Sequence, residues 1–291
     1  MVNFDRLAMK AANEEVRKGA NAVMHIGSTL HQEDIFYNSD LDVLAIYPKS
    51  LPPEASRAEY RFDKRNGIEV NIIREPEHRF CAKLAAGNPF EITSMKFGRP
   101  LVGKRVFDNM AVPEPTTTTA MKWMDNAAWH FTRMMMEYQM IDDIQTFYTT
   151  AQKAARSALR AAVLVKTRKL VETNAELIQN AEPDPAWAYL ELLGLRRESE
   201  KYVDTFKAKE VRRIAGSVEA RAFLKAEYLV RYGAKEVLSL SVPTVNAVLR
   251  DAGRHDERYR MGMLDFKDRK LTVLLSSKPD TPMRTVSVPL L

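Results

Sequence analysis

The chain has 291 residues, 45% of them hydrophobic and 28% charged, with a net charge of +6 and a pI of about 9.2. No segment approaches the roughly 20 apolar residues that span a bilayer, and no signal-like apolar region precedes the first helix, so we expect a cytoplasmic protein without a membrane partner. A single cysteine, Cys81, excludes an intramolecular disulfide. The basic excess is compatible with a nucleotide or nucleic-acid partner, although it does not establish one.

The N-terminal segment has the periodicity of an amphipathic helix. It predicts a helix over 4–19 with Asn3 as its N-cap. Leu7, Ala11 and Val16 form the expected inward stripe of this helix. Glycine ends helices readily, and Gly19 marks the expected end.

Apolar runs bounded by turn residues then predict the strands of a sheet. The expected strands are 22–26, 41–47 and 68–73. A short helical or irregular stretch is expected near 29–37, and 55–65 is ambiguous between helix and strand. Two further helices are expected, from Pro76 to about 86 and after Pro89.

A Gly-Ser turn and a pair of aspartates stand at the ends of the first two strands. Gly27-Ser28 follows the strand 22–26, and Asp40 and Asp42 begin the next one. Residues i and i+2 of a strand point to the same face, so the two carboxylates are expected to project together. Gly27 would let the backbone approach a phosphate, and Ser28 offers a hydroxyl and an N–H to it. The pattern predicts a site for a divalent metal ion and a nucleoside triphosphate.

Glu69, on the third strand, is expected to complete this site. Mg²⁺ prefers oxygen ligands, and two such ions can clamp the attacking and leaving oxygens of an in-line displacement. Glu69 could hold a metal ion or act as general base toward an acceptor hydroxyl. Asn71 has the same strand parity and is a further candidate. An exposed acidic residue on an alternating strand is the simpler alternative for Glu69.

These residues resemble the DNA polymerase β-like nucleotidyltransferase superfamily. Its signature is an apolar residue, Gly, then Gly or Ser, about ten further residues, and Asp-apolar-Asp or Glu, with a third acidic residue on a later strand. Ile26-Gly27-Ser28, Asp40-Leu41-Asp42 and Glu69 match it. The resemblance, which covers about residues 20–105, implies transfer of a nucleoside monophosphate, with Mg²⁺, or Mn²⁺ in its place, held by the three carboxylates.

A second stretch is similar to the predicted nucleotidyltransferases associated with RNA repair. It runs from Glu77 through a Gly87-Asn88-Pro89 turn to Glu91. Arg79, Lys83 and Asn88 are the nucleotide-binding candidates in this stretch, with a solvated basic helix face and a plain turn as the alternatives. Arg74, which directly follows the third strand, is a further basic residue that could reach the triphosphate. The sequence departs from that group in having Leu30-His31 for an aromatic-Gly step and Glu69 where Asp is usual.

A Pro- and Thr-rich stretch predicts a domain boundary. We expect a catalytic domain at 1–112, a linker at 113–119 and a mainly helical acceptor-binding domain at 120–291. Helices are expected at 120–140, 143–174, 184–206, 207–234 and 243–253, followed by a hairpin of strands 270–276 and 283–289. Basic residues at helical spacing, Lys153, Arg156 and Arg160, suit RNA phosphates or a solvated surface. Three tryptophans are expected in the core: Trp123, Trp129 and Trp187.

The sequence therefore predicts an α/β (α+β) fold, with a minimal nucleotidyltransferase sheet followed by helices and a C-terminal β-hairpin. The favoured activity moves an NMP from an NTP to a hydroxyl, releasing pyrophosphate, with an RNA or tRNA end as the first choice of acceptor. An aminoglycoside-like small molecule or a protein hydroxyl is the alternative acceptor. A non-catalytic nucleotide- or RNA-binding module on the same fold is the alternative from another class.

Overall fold

The computed structural model describes residues 3–36, 39–52, 56–64, 66–140, 144–200, 208–251, 258–276 and 284–291. The chain divides into two compact units. Unit 1 comprises Met1–Pro115 and Glu172–Asn174, and unit 2 comprises Thr116–Val171 and Ala175–Leu291. A mixed sheet with helices, a helical region and a C-terminal antiparallel sheet confirm the predicted fold class.

Unit 1 is built on five strands and four α-helices within the described ranges. In chain order these are α1 (Phe4–Arg17), β1 (Ala22–Ile26), β2 (Leu41–Tyr47), β3 (Ala58–Asp63), β4 (Ile68–Pro76), α2 (Glu77–Ala85), α3 (Pro89–Phe97), β5 (Arg99–Val102) and α4 (Lys104–Asp108). Two 3₁₀ turns, Ser28–Leu30 and Gln32–Asp34, connect β1 to β2. The ambiguous segment 55–65 contains strand β3, while its residues 55 and 65 lie outside the described residues.

The sheet order is β3-β4-β2-β1-β5. Strands β2 and β4 pair in parallel, and the other neighbours pair antiparallel. Alternate residues of the central strands, including Leu41, Val43, Val70 and Ile72, form one buried cluster with the alanines of α1. Since strand residues alternate between faces, Asp42 and Asn71 belong to the opposite face.

A buried ion pair holds α1 against the sheet. Arg74 donates from Nε to Glu15 Oε2 at 2.6 Å and from Nη2 to Glu15 Oε1 at 2.8 Å. Tyr47 donates from its hydroxyl to Glu15 Oε2 at 2.8 Å. Burial alone raises the pKa of Glu15, but its hydrogen bonds from Arg74, Lys18 and Tyr47 outweigh this and lower it to about 2. The pair keeps a charged side chain of α1 in the core.

This ion pair corrects two sequence-based predictions. Val16 was expected on the inward stripe of α1, but it is exposed, and Glu15 takes the inward place. Arg74, which as a basic residue after the third strand was a candidate for the triphosphate, faces α1 and is bound by Glu15 and Glu59. The predicted N-cap is confirmed, because Asn3 Oδ1 accepts from Arg6 N at 2.9 Å.

Unit 2 combines helices with a small sheet. In chain order its elements are α5 (Thr117–Met140), α6 (Ile144–Thr167), α7 (Asn174–Asn180, whose first residue belongs to unit 1), α8 (Pro183–Glu200), α9 (Ala208–Leu238), α10 (Val245–Asp251), β6 (Arg258–Asp265), β7 (Lys270–Ser276) and β8 (Arg284–Pro289). The helix predicted over 143–174 ends at Thr167, and α7 was not predicted. Strands β7 and β8 form the predicted antiparallel pair, and β6 adds a third strand. The predicted helix ends at 206 and 253 and the strand start at 283 lie outside the described residues.

Small residues let the helices of unit 2 approach closely. Helix α6 buries a stripe of alanines, including Ala151, Ala154, Ala155 and Ala158. A Cβ on Gly233 of α9 would lie 2.9 Å from Ala158 O, so a larger residue there would force the two helices apart. This packing explains why an alanine-rich helix lies in the core.

Only one of the three tryptophans is where the sequence predicts it. Trp123 is buried, whereas Trp129 and Trp187 are 59% and 62% exposed, so the core prediction is wrong for both. In the part of the chain that the structure describes, no helix is both long and apolar enough to cross a membrane.

Candidate active site

Gly27 and Asp42 are brought together at the ends of β1 and β2. Ile26 pairs with Asp42 across the two strands, so Gly27 lies directly beyond this pair. Gly27 has φ +86°, a conformation that L side chains rarely adopt, and a Cβ there would lie 2.7 Å from Asp42 Oδ2. Both the backbone conformation and the proximity of Asp42 therefore require glycine at position 27.

Asn71 contacts the same carboxylate from the other side. The parallel pairing of β2 with β4 places Asp42 opposite Asn71, and Asn71 Nδ2 donates to Asp42 Oδ1 at 2.8 Å. The carboxylate only accepts, so this bond assigns the amide orientation and turns Asn71 Oδ1 away from Asp42. Among the described residues, Asn71 Oδ1 is buried without a hydrogen-bond partner. An unpaired buried oxygen beside a carboxylate is suited to a cation or a donor hydroxyl.

The other two candidate carboxylates lie near the first residues of β2 and β4. Asp40 immediately precedes β2, and Glu69 is the second residue of β4. Leu41 pairs with Val70, so Asp40 and Glu69 precede this pair at the same level. Alternation within β4 puts Glu69 on the face of Asn71, whereas Asp40 lies just before β2. Asp40 is half-buried and Glu69 is exposed. In the described ranges, no three Asp, Glu, His or Cys side chains are grouped closely enough to hold a metal ion.

The oxygen atoms on this face nevertheless fit Mg²⁺ chemically. Mg²⁺ usually keeps several waters and is bound through one or two carboxylates plus substrate phosphates, so a protein cage of three ligands is unnecessary. Asp42 and Asp40 supply carboxylates, and Asn71 supplies the unpaired amide oxygen. These residues, with Glu69 at the rim, are the ones that could hold the ion.

A buried histidine supports the turn after Gly27. Arg99 Nη2 lies 3.2 Å from His25 Nδ1, and His25 Nε2 lies 2.8 Å from Thr29 Oγ1. Arginine only donates, so Nδ1 accepts and Nε2–H donates to Thr29. Burial, and secondarily the charge of Arg99, lowers the pKa of His25 to about 4. His25 is thus neutral near pH 7. Its hydrogen bond to Thr29 holds the 3₁₀ turn Ser28–Leu30.

A segment distant in the sequence contacts the 3₁₀ turns that follow Gly27. His31 Nε2 lies 2.8 Å from Glu172 Oε1, and Asn174 N donates to Asp34 Oδ2 at 3.0 Å. Asp34 is buried. Sequence reasoning missed this clamp, because Glu172 and Asn174 lie in the second half of the chain and belong to unit 1 only in space.

The three nucleotide-binding candidates after β4 are Arg79, Lys83 and Asn88. Lys83 forms ion pairs with Glu75 and, at 3.5 Å, with Glu91, both buried. Arg79 is exposed on the same helix, and Asn88 stands at the N-cap of α3 without a side-chain cap bond. The role of Arg79, Lys83 and Asn88 in nucleotide binding stays a prediction.

Comparison with protein-family models gives no match, and no curated protein matches the sequence. Among solved structures, the chain is similar to the crystal structure of a nucleotidyltransferase-like protein from Exiguobacterium sibiricum, at 10% identity. The match covers 97% of this chain and 98% of that one, with a TM-score of 0.29. A likeness at this level does not bear on function.

Proposed function

We propose that the chain is a Mg²⁺-dependent nucleotidyltransferase that moves an NMP from an NTP to a hydroxyl acceptor and releases pyrophosphate. The observation that supports this most is that a Cβ on Gly27 would lie 2.7 Å from Asp42 Oδ2, so the Gly-Ser turn lies directly beside a carboxylate. The resemblance of Gly27-Ser28, Asp40, Asp42 and Glu69 to the polymerase β-like signature agrees with it. The association with RNA repair rests on the sequence resemblance alone.

Each residue has a role that follows from its place on the sheet. The backbone at Gly27 and the hydroxyl of Ser28 bind the β- and γ-phosphates. Asp40 and Asp42 hold Mg²⁺, and Asn71 orients Asp42 through its 2.8 Å hydrogen bond. Bound Mg²⁺ would neutralise phosphate charge and stabilise the attacking and leaving oxygens. Glu69, exposed at the start of β4, takes the proton of the acceptor hydroxyl.

An RNA or tRNA end is the proposed acceptor. The net charge of +6 favours a polyanion over an aminoglycoside, which is itself cationic. Incubating the protein with α-labelled NTPs, Mg²⁺ and, separately, total RNA, an aminoglycoside and a protein extract distinguishes the acceptors. Label in RNA supports the proposal, and label in another acceptor alone would replace RNA by that acceptor. Release of no pyrophosphate under any condition would exclude the enzyme and favour the binding module.

A further inference from the structure

Two exposed aromatic side chains lie on the same face of the sheet as the candidate site. Tyr60 pairs with Asn71 and Phe62 pairs with Glu69 across β3 and β4, and directly paired residues share a face. Tyr60 is 66% exposed and Phe62 is 64% exposed. The residue between them, Arg61, points to the other face, where it pairs with Glu14 and Glu59. The aromatic pair therefore has no part in the core beside α1.

The order of the strands places this pair on a definite side of the reaction centre. Across the sheet, Gly27 follows β1, Asp42 is on β2, Asn71 is on β4, and Tyr60 and Phe62 are on the edge strand β3. Neighbouring strands are about 4.8 Å apart, so β3 lies roughly 10 Å from the strand of Asp42, on the side away from Gly27.

The direction of in-line displacement then distinguishes donor from acceptor. The attacking oxygen must approach opposite to the leaving group. If the leaving pyrophosphate lies at Gly27 and Ser28, the acceptor approaches from the side of β4 and β3. Glu69, the proposed base, lies between the metal-binding aspartates and the aromatic pair, as this direction requires.

We propose that Tyr60 and Phe62 form a stacking platform for the terminal base of a single-stranded RNA acceptor. This inference rests on the proposed function for its orientation. Side chains two residues apart on a strand are about 7 Å apart and stand roughly perpendicular to the sheet. That spacing is about twice the carbon–carbon contact distance of ~3.5 Å, so a planar base fits between the two rings. Aromatic stacking tolerates any base, which suits an acceptor end of variable sequence.

The test compares Tyr60→Ala and Phe62→Ala with the parent in two measurements. The first is the affinity for a short fluorescent single-stranded RNA, without NTP or Mg²⁺. The second is the pair of KM values for RNA and for NTP in the transfer reaction. Trp187→Ala removes an equally exposed aromatic from unit 2 and is the matched control, while Tyr60→Phe keeps the ring.

We expect each alanine variant to raise the RNA Kd and the RNA KM roughly 5- to 100-fold, with the KM for NTP changed less than about 2-fold. Trp187→Ala should behave as the parent, and Tyr60→Phe should keep most of the RNA affinity that Tyr60→Ala loses. Unchanged RNA affinity, a parent that binds no RNA, or a rise in the KM for NTP instead would overturn the platform. A platform that binds RNA on a protein that transfers no nucleotide would leave this inference standing and refute the proposed function.

Discussion

The hypothetical Cβ of Gly27 lies 2.7 Å from Asp42 Oδ2, so any side chain at position 27 must displace the carboxylate. Gly27→Ala should therefore reduce transfer activity by orders of magnitude, while the backbone strain at φ +86° and ψ −169° costs about 1–3 kcal/mol of the free energy of unfolding. Activity assays and denaturant unfolding measure the two effects separately.

Gly67→Ala is the matched control. Gly67 has a similar φ of +66°, but its Cβ would meet no atom within 4 Å. The Gly67→Ala variant should lose stability through backbone strain alone and keep its activity. Equal activity losses in both variants would show that strain, and not the contact with Asp42, is responsible.

Asn71→Asp tests whether the unpaired amide oxygen faces a cation site. The substitution replaces the donor to Asp42 by a second carboxylate, so without metal the protein should lose about 1–3 kcal/mol of stability. Mg²⁺ should restore more of the thermal stability in this variant than in the parent. Asn13→Asp, at an exposed site of α1, should show no Mg²⁺ response. An Asn71→Asp variant indifferent to Mg²⁺ would argue against metal at this face.

Arg74→Met should destabilise unit 1 by about 3–5 kcal/mol, because it leaves the buried carboxylate of Glu15 without its main partner. Arg61→Met removes a more exposed guanidinium that pairs with Glu14 and Glu59, and it should cost about 1 kcal/mol or less. Urea unfolding of the two variants measures the difference. Similar costs would contradict a core role for the Glu15–Arg74 pair.

The lowered pKa of His25 predicts acid sensitivity. Its pKa is about 4 in the folded chain against an ordinary 6.5, so the unfolded state binds more protons between these values and stability falls as the pH falls through that window. His25→Gln, which can keep both hydrogen bonds, should reduce this slope by up to about 1.4 kcal/mol per pH unit. The exposed His78, changed to Gln, serves as control. An unchanged slope in His25→Gln would show that His25 does not protonate on unfolding.

The parts of the fold that depend on local sequence patterns could be predicted from the sequence. The strands 22–26 and 41–47 follow from apolar runs bounded by turn residues. The contact of Asn71 with Asp42 could not be predicted in this way. It depends on the register of β4 against β2, which no local sequence pattern determines.

Long-range contacts explain most of what was missed. Asn174 hydrogen-bonds to Asp34, 140 residues away in the sequence. Glu15 faces inward because it pairs with Arg74, which is 59 residues away in the sequence. The two exposed tryptophans show that residue type alone does not decide burial.

The part that Asp42 plays in metal-dependent transfer can be measured with α-labelled NTP, Mg²⁺ and RNA. The parent should label RNA, Asp42→Asn should label none while remaining folded, and Asp268→Asn, at an exposed aspartate paired with Lys270, should match the parent. Undiminished labelling by Asp42→Asn would contradict the account.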